Sequence, residues 1–208
     1  MSGLVRDPEA LDLDPYLLGC WLGDGTTKEP QITSMDQEIV AAFAHAFGAP
    51  RSFQDKPGSK AKTYSFSGLR RQLTALGVLG KKHVPAQYLR GSTEQRLSLL
   101  QGLCDTDGGV ATNGSQQDFS TTLPALRDAV SHLVFSLGGH ATICGPTQTY
   151  AVTTLPDGSK HRAPGQLSWR VFFRLPAGLR AFRLARKLRK LRADSGRNAP
   201  RKRIVKIE

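Results

Sequence analysis

Cysteine is scarce in this sequence. Cys20, Cys104 and Cys144 are the only three in 208 residues, and they are widely spaced without a CxxC pair. A disulfide framework needs paired cysteines, and a structural zinc site needs closely spaced Cys or His ligands. We therefore expect neither, and we expect a protein of a reducing cytoplasm. The Ala-, Arg-, Leu- and Gly-rich composition indicates a GC-rich bacterial or phage genome.

Long apolar runs are also missing. No stretch approaches the ~18 consecutive apolar residues of a membrane helix. The N-terminal sequence MSGLVRDPEALDLDP carries acids where a secretory signal needs an apolar run. We expect neither a membrane span nor an export signal. Apolar residues still make up 39% of the chain, which is enough for a core and argues against wholesale disorder.

Acidic residues are few: the sequence has 17 Asp and Glu against 29 Lys and Arg, which gives a net charge of +12. Such an excess indicates a polyanionic partner, most simply nucleic acid. The charge is uneven along the chain: −4 over 1–30, +6 over 31–100, zero over 101–175 and +10 over 176–208. Most of the excess therefore lies in the C-terminal segment.

Apolar residues recur in that basic segment at roughly helical spacing, which predicts an amphipathic helix. They are Leu179, Phe182, Leu184, Leu188 and Leu191. A solvated helix face, a calmodulin-type target and a membrane-surface helix would all share this pattern. Charge alone leaves these alternatives open.

Two segments of the chain resemble each other. LLGCWLGDG (17–25) and LQGLCDTDG (100–108) both run from an apolar helical stretch into Asp-Gly. Asp24 and Asp107 fall in register, 83 residues apart. The order of predicted elements also repeats after each motif.

Each half reads α-β-β-α-β-β-α. The predicted strands and helices after Asp24 are 31–34, 37–47, 51–55, 62–67 and 69–77. Those after Asp107 are 118–122, 123–137, 140–144, 148–154 and 166–173, followed by the basic helix. This repeat predicts an α+β fold with two pseudo-symmetric subdomains, 1–92 and 93–208, derived from one duplicated unit.

Small residues in the motifs indicate how the two helices meet. Gly19 and Gly23 lie on one helix face, as do Gly102 and Thr106, so close packing of the two helices is expected. Gly25 and Gly108 would end the helices, as C-terminal glycines do. The two aspartates would then lie together and repel unless a cation sits between them. Mg²⁺ suits such oxygen ligands, and metals bridging phosphodiester oxygens are a standard route to strand cleavage.

The two nonapeptides resemble the paired signature of LAGLIDADG homing endonucleases, most closely the dodecapeptide (DOD) type found in inteins. The resemblance covers essentially the whole chain, including both αββαββα halves. It implies a saddle of antiparallel strands that binds a long, specific double-stranded DNA target, and a monomer that cuts both strands with Mg²⁺. An acidic residue is common at the sixth motif position, where this chain has Leu22 and Asp105, but that position is not the ligand.

The resemblance also implies roles for individual residues. Asp24 and Asp107 would be the metal ligands and catalytic acids. Lys82 matches the lysine of a KxIP phrase through KHVP (82–85), and it would organise the attacking water or stabilise developing charge. Lys187 is the choice for its pseudo-symmetric counterpart, with Lys190 and Lys202 as rivals. The predicted DNA contacts lie on or between strands, and they are Arg51, Lys56, Lys60, Lys62, Arg162, Arg170 and Arg174.

The sequence shows neither the N-terminal nucleophile nor the terminal His-Asn of a self-splicing intein. We therefore expect an endonuclease module, free-standing or from an intein, without splicing activity. Two alternatives remain at this point. A DNA-binding regulator of the same fold would not cut, but such proteins usually lose the motif acids. An RNA maturase would use the same basic surface on intron RNA.

Overall fold

The computed structural model describes residues 3–55, 59–112, 114, 116–155 and 158–191. The first half contains α1 (Pro15–Asp24), β1 (Gln31–Ser34), α2 (Gln37–Phe47), β2 (Ser52–Asp55), β3 (Lys62–Ser65), α3 (Leu69–Ala75) and α4 (Ala86–Arg90). The second half contains α5 (Thr93–Asp107), β4 (Gly108–Val110), β5 (Gln117–Thr121), α6 (Pro124–Ser136), β6 (His140–Thr154), β7 (Lys160–Arg174) and α7 (Ala185–Leu188).

Each half contains one antiparallel sheet. The strand order is β1-β3-β2 in the first sheet and β4-β5-β7-β6 in the second. In the first half, Gly25 forms an isolated bridge with Ile32, at the place where β4 pairs with β5 in the second half. The predicted α+β class with antiparallel sheets is confirmed.

The motif helices α1 and α5 begin at well-formed caps. The Asp14 side chain accepts hydrogen bonds from Tyr16 N at 2.8 Å and Leu17 N at 3.2 Å. Ser92 forms a capping box with Gln95 at the start of α5. These caps satisfy N–H groups that the first turn of a helix leaves unpaired.

The core is continuous across both halves, and α1 and α5 lie at its centre. All residues from Tyr16 to Leu22 are buried, so α1 has no solvent-facing stripe in this stretch, as expected of a helix covered on all sides. The helices α2 and α6 bury Phe43 and Leu133 in the same core. The motif helices are therefore held within the hydrophobic core. No helix within the described ranges is long and apolar enough to span a membrane.

Strands β6 and β7 are longer than the sequence predicts. The expected break between two strands at 140–144 and 148–154 is only a pair of register irregularities within β6, and β7 begins at Lys160 rather than at 166. Polar Thr and Gln side chains obscure the alternation that normally identifies a strand. The two strands form a hairpin that extends beyond the rest of the sheet.

The prediction of an amphipathic helix through residues 179–191 is wrong for the part before Ala185. Only α7 (Ala185–Leu188) is helical there. Phe182 and Leu184 are nevertheless fully buried, so the apolar positions do face the core. The backbone N–H groups of Arg183 and Leu184 donate to Asp105 instead of to a helical turn. This tertiary contact replaces the hydrogen bonds that a helix would make.

Candidate active site at the ends of the paired helices

The helices α1 and α5 meet at their motif glycines. A Cβ on Gly19 would lie 2.4 Å from Leu99 O, and one on Gly102 would lie 2.1 Å from Tyr16 O. Contacting side chains set the distance between helix axes. Only glycine therefore permits this approach, and the predicted close packing is confirmed.

The contact continues to the C-terminal ends of both helices. A Cβ on Gly23 would lie 2.0 Å from Thr106 Oγ1 and 3.2 Å from Asp107 Oδ2. The Asp107 carboxylate thus lies beside the last turn of α1, which ends at Asp24. The two motif aspartates lie at the same end of the helix pair, as their register predicts.

Glycine is needed after each helix because of space rather than because of a left-handed backbone. Gly25 and Gly108 have φ values of −72° and −92°, in the extended region. A Cβ would lie 2.3 Å from Trp21 O at the first position and 2.5 Å from Cys104 O at the second. The expectation that these residues end the helices is confirmed, but they do so by letting the chain fold tightly over the last turn.

Burial raises the pKa of both carboxylates, and the charge of Asp107 acts on Asp24 as well. Burial raises the pKa of Asp24 to about 6, helped by the charge of Asp107 and opposed by Lys187 and Lys82. Partial withdrawal from water also raises the pKa of Asp107, against the same two lysines, although this residue keeps exposed surface. A bound cation would remove the cost of holding both groups ionised.

The donor set fits a hard divalent cation. Mg²⁺ is usually held by one or two carboxylates, with water and phosphate oxygens at the remaining positions. No group of three or more His, Cys, Asp or Glu side chains in the described part of the chain could enclose a metal by itself. Asp24 lines an open cleft together with Thr33, Ser34 and Asp36, so water and a phosphate can reach it.

Lys82 lies beside the end of α1. Its Nζ donates to Gly23 O at 3.0 Å and lies 5.3 Å from the centre of the Trp21 ring. Burial lowers the pKa of Lys82 to about 8, while the charges of Asp107 and Asp24 act to raise it. An amine with this pKa can change protonation near neutral pH, as a group that handles a proton must.

Lys187 lies beside the end of α5 and is almost fully buried, with 5% of its surface exposed. Its Nζ donates to carbonyl oxygens of Cys104, Asp105 and Gly108 at 2.7 to 2.8 Å, and to Thr106 O at 3.3 Å. Burial lowers its pKa. An ammonium group placed there donates to carbonyl groups that the end of a helix leaves unpaired. Its positive charge is also stabilised by the negative end of the helix dipole.

The two lysines occupy related positions. Gly23 and Thr106 are in register in the repeat, and their carbonyl oxygens accept from Lys82 and Lys187 respectively. Of the rivals for the second lysine, Lys190 is exposed, and Lys202 lies outside the described residues. The geometry therefore brings Lys187 to the aspartate pair. Its three N–H groups already have carbonyl partners, whereas Lys82 has one such partner among the described residues.

Sequence reasoning gave no role to Asp105, which is 1% exposed. Its carboxylate accepts from Tyr16 OH at 2.9 Å, Arg183 N at 3.0 Å and Leu184 N at 3.3 Å. It joins both motif helices to the C-terminal segment that carries Lys187. An acid within an otherwise apolar stretch is a sequence signal for such a buried partner, but the sequence does not indicate which groups it contacts.

The predicted DNA contacts lie on or beside the two sheets. Five of them are exposed: Arg51, Lys60, Arg162, Arg170 and Arg174. Lys62 is partly buried and pairs with Asp55 at 3.0 Å. Lys56 lies outside the described residues.

Similar segments occur in two curated proteins. No family model matches the sequence. The chain is 44% identical over 142 residues to the replicative DNA helicase DnaB of Mycobacterium intracellulare, covering 64% of this chain and 22% of that protein. It is 27% identical over 161 residues to the homothallic switching endonuclease of Saccharomyces cerevisiae, covering 62% of this chain and 28% of that protein.

The predicted resemblance to an endonuclease is confirmed by the switching endonuclease, and the assignment to the dodecapeptide type stays a prediction. A solved structure of the homing endonuclease I-DmoI, in complex with DNA and Ca, shares 15% identity and a TM-score of 0.48 with this chain. The match covers 78% of this chain and 82% of that one. The chain spans only about a quarter of the length of the two curated relatives.

Proposed function

We propose that this chain is a site-specific DNA endonuclease that makes a double-strand break in a long target with the help of a divalent cation, most simply Mg²⁺. The observation that carries the proposal is the pair of motif aspartates at the adjoining ends of α1 and α5, with the partly buried Lys82 and the buried Lys187 donating to equivalent carbonyl groups there. The similarity to a switching endonuclease supports the same activity.

The chemistry is divided among the residues at the helix ends. Asp24 and Asp107 would hold the metal, which when bound would polarise phosphate oxygens and water. Lys82 Nζ, with its lowered pKa, would orient the attacking water or stabilise developing charge. Lys187 would hold the end of α5 and keep Asp107 in place. The tight contact at Gly23 fixes the two carboxylates relative to each other.

The β6–β7 hairpin supplies a surface for DNA. Strand β5 pairs with β7 from Trp169 onwards, so the outer part of the hairpin, from Thr147–Ser168 to Thr154–Lys160, pairs only with itself. Eight residues at ~3.3 Å each give this ribbon a length of roughly 26 Å. A two-stranded ribbon of that kind fits the major groove, where the bases can be distinguished.

The ribbon has the side chains for such contacts. Most of its residues are exposed, and the guanidinium of Arg162 stacks 4.0 Å from the Tyr150 ring centre. The ribbon also carries four Thr and two Gln residues, and the sequence from 147 to 168 has Lys160 and Arg162 against the single acid Asp157. Arginine and glutamine side chains can read guanine and adenine edges, and threonine methyl groups can contact thymine.

We further propose that the chain is the endonuclease module of an intein, acts as a monomer and has no splicing activity. Support comes from the DnaB relative, in which the similar segment covers 22% of the length. A module that recurs in a helicase sequence and in a switching endonuclease is the pattern of a mobile insertion. Placing the chain between two halves of a reporter protein tests the absence of splicing, and a ligated reporter would refute it.

The decisive experiment is cleavage of a defined DNA. The chain is incubated with Mg²⁺ and plasmids that carry the uninterrupted dnaB-type gene, and the products are mapped on both strands. A single discrete double-strand break supports the proposal. Binding to that DNA without cleavage favours a regulator, and preferential binding to the corresponding intron-like RNA favours a maturase.

A further inference from the structure

A C-terminal strap, which we define as Arg180–Leu188, crosses from the second half of the molecule to the first. Gln101 Nε2 donates to Arg180 O at 2.8 Å at its start. Arg183 donates through its side chain to Gln101 Oε1 at 2.8 Å and to Ser98 Oγ at 2.6 Å. The first part of the strap is thus held on α5.

The end of the strap is tied to the first half. Arg186 Nε and Nη2 donate to the two carboxylate oxygens of Asp36 at 2.6 and 2.8 Å. Ala185 N donates to Glu38 Oε2 at 3.3 Å. Asp36 precedes α2 and has 15% of its side chain exposed. Two parallel hydrogen bonds of this kind fix the orientation of the guanidinium relative to the carboxylate as well as their distance.

Lys187 comes directly after these two anchor points. Asp105 holds the backbone of Arg183 and Leu184, and Asp36 holds Arg186, the residue just before Lys187. The Lys187 side chain then reaches four carbonyl groups at the end of α5. The ion pair with Asp36 also borders the cleft that contains Asp24, so it joins the two halves at the proposed active site.

We propose that Arg186 is a positioning residue: its ion pair with Asp36 sets the Lys187 ammonium at the end of α5 and thereby fixes Asp107 for cutting one DNA strand. The inference rests on the proposed function. It predicts a division of labour, because Lys82 donates to Gly23 O, next to Asp24 in α1. Lys187 instead donates to the carbonyl groups of Thr106 and Gly108, on either side of Asp107.

The first test measures the position of Lys187 without DNA. Amine-directed acetylation followed by mass spectrometry reports the accessibility of each lysine. Lys187 should be protected in the wild-type chain and should react about tenfold faster in Arg186→Ala and Asp36→Asn, because loss of its anchor lets the amine reach solvent. Arg127→Ala is the matched control, since it removes an arginine paired with Asp128 on the surface of α6. Continued protection of Lys187 in both strap variants would overturn the inference.

The second test measures cutting of each strand separately on a target with differently labelled strands. Arg186→Ala and Asp36→Asn should slow the same strand as Lys187→Ala, by about tenfold, and should accumulate singly nicked DNA. Lys82→Ala should instead slow the cutting of the opposite strand. Arg186→Lys keeps the charge but not the bidentate geometry, so it should give an intermediate effect and guards against a simple folding defect.

The outcomes separate the two proposals. A wild-type chain that cuts no candidate target refutes the endonuclease function, while the acetylation result still decides whether Arg186 positions Lys187. Equal slowing of both strands, or weaker DNA binding in Arg186→Ala with normal behaviour of Asp36→Asn, would show that Arg186 is only a phosphate contact and would overturn the inference.

Discussion

At the scale of single residues, Asp24 and Asp107 carry the proposed chemistry. Asp24→Asn or Asp107→Asn keeps the side-chain shape but removes a charged ligand for the cation. We expect either change to abolish double-strand cleavage of a plasmid target while DNA affinity changes by less than about threefold, because phosphate contacts come from basic residues elsewhere. Gel-based cleavage and binding assays measure both properties.

Asp128→Asn is the control for this pair of variants. It removes an exposed carboxylate on α6 that pairs with Arg127, and it should leave cleavage unchanged. Full double-strand cutting by Asp24→Asn or by Asp107→Asn would contradict the ligand assignment.

The raised pKa of Asp24 predicts how pH controls stabilisation by Mg²⁺. In the metal-free protein, the contribution of Asp24 to stability is present below the ordinary aspartate pKa and is lost as pH rises through about 6. Mg²⁺ binds the ionised form and reverses this loss. About 10 mM Mg²⁺ should therefore raise Tm at about pH 7.5 and have much less effect at about pH 5.

Differential scanning calorimetry measures these shifts, and Asp24→Asn should lose most of the shift at the higher pH. Asp128→Asn again serves as the control with an unrelated acid removed. A Tm increase of equal size at both pH values would argue against a cation held by Asp24.

The sequence predicts some of these residues better than others, for a physical reason. Asp24, Asp107 and Lys82 belong to local patterns, a repeated Asp-Gly and a KHVP phrase, so their place can be predicted. The role of Asp105 depends on N–H groups 78 and 79 residues further along the chain. Local sequence does not encode such a contact.

At the scale of the helices, the contact between α1 and α5 depends on glycine. Gly19→Ala would place Cβ 2.4 Å from Leu99 O, a backbone atom that no side-chain change can move. The helices would have to separate, and overpacking of this kind typically costs about 1–3 kcal/mol. Chemical denaturation should show a lower free energy of unfolding, with the slope against denaturant unchanged.

Gly23→Ala provides the matched comparison because its new Cβ would meet the side chain of Thr106. The second change Thr106→Gly removes that obstacle but places a glycine inside α5, which itself costs about 0.5–1 kcal/mol. Gly23→Ala should therefore cost much less in the Thr106→Gly background than in the wild type. An equal cost in both backgrounds, or a Gly19→Ala protein as stable as the wild type, would contradict close packing at these positions.

The elements also show where periodicity is sufficient and where it fails. The spacing of apolar residues predicts α2 with its observed ends, 37–47. The same signal predicts a helix through Phe182 and Leu184, where the structure has an extended strap. Both segments bury their apolar side chains. The buried acceptor Asp105 decides the backbone conformation of the strap, and periodicity does not report it.

At the scale of the whole molecule, the two halves differ in how far their sheets extend. The β2–β3 hairpin has four-residue strands, whereas β6 and β7 have fifteen residues each. If the motif helices are pseudo-symmetric, the double-strand break in the bound DNA would lie near the middle of the molecule. DNA contacts should therefore extend further from the break on the side of the second half.

This asymmetry predicts an unequal footprint. Targets shortened stepwise from either end should lose affinity sooner on the side bound by the β6–β7 ribbon, by roughly 7–8 base pairs for a ribbon of about 26 Å. Arg162→Ala and Tyr150→Ala should weaken binding to the full target. On a target already shortened on that side, they should have little further effect, because the bases that they contact are gone. Arg70→Ala removes the same charge from α3, where the side chain pairs with Glu29, and it should not distinguish the two targets. Equal losses from both ends, or ribbon variants that weaken full and shortened targets alike, would show that the ribbon does not extend the DNA contact.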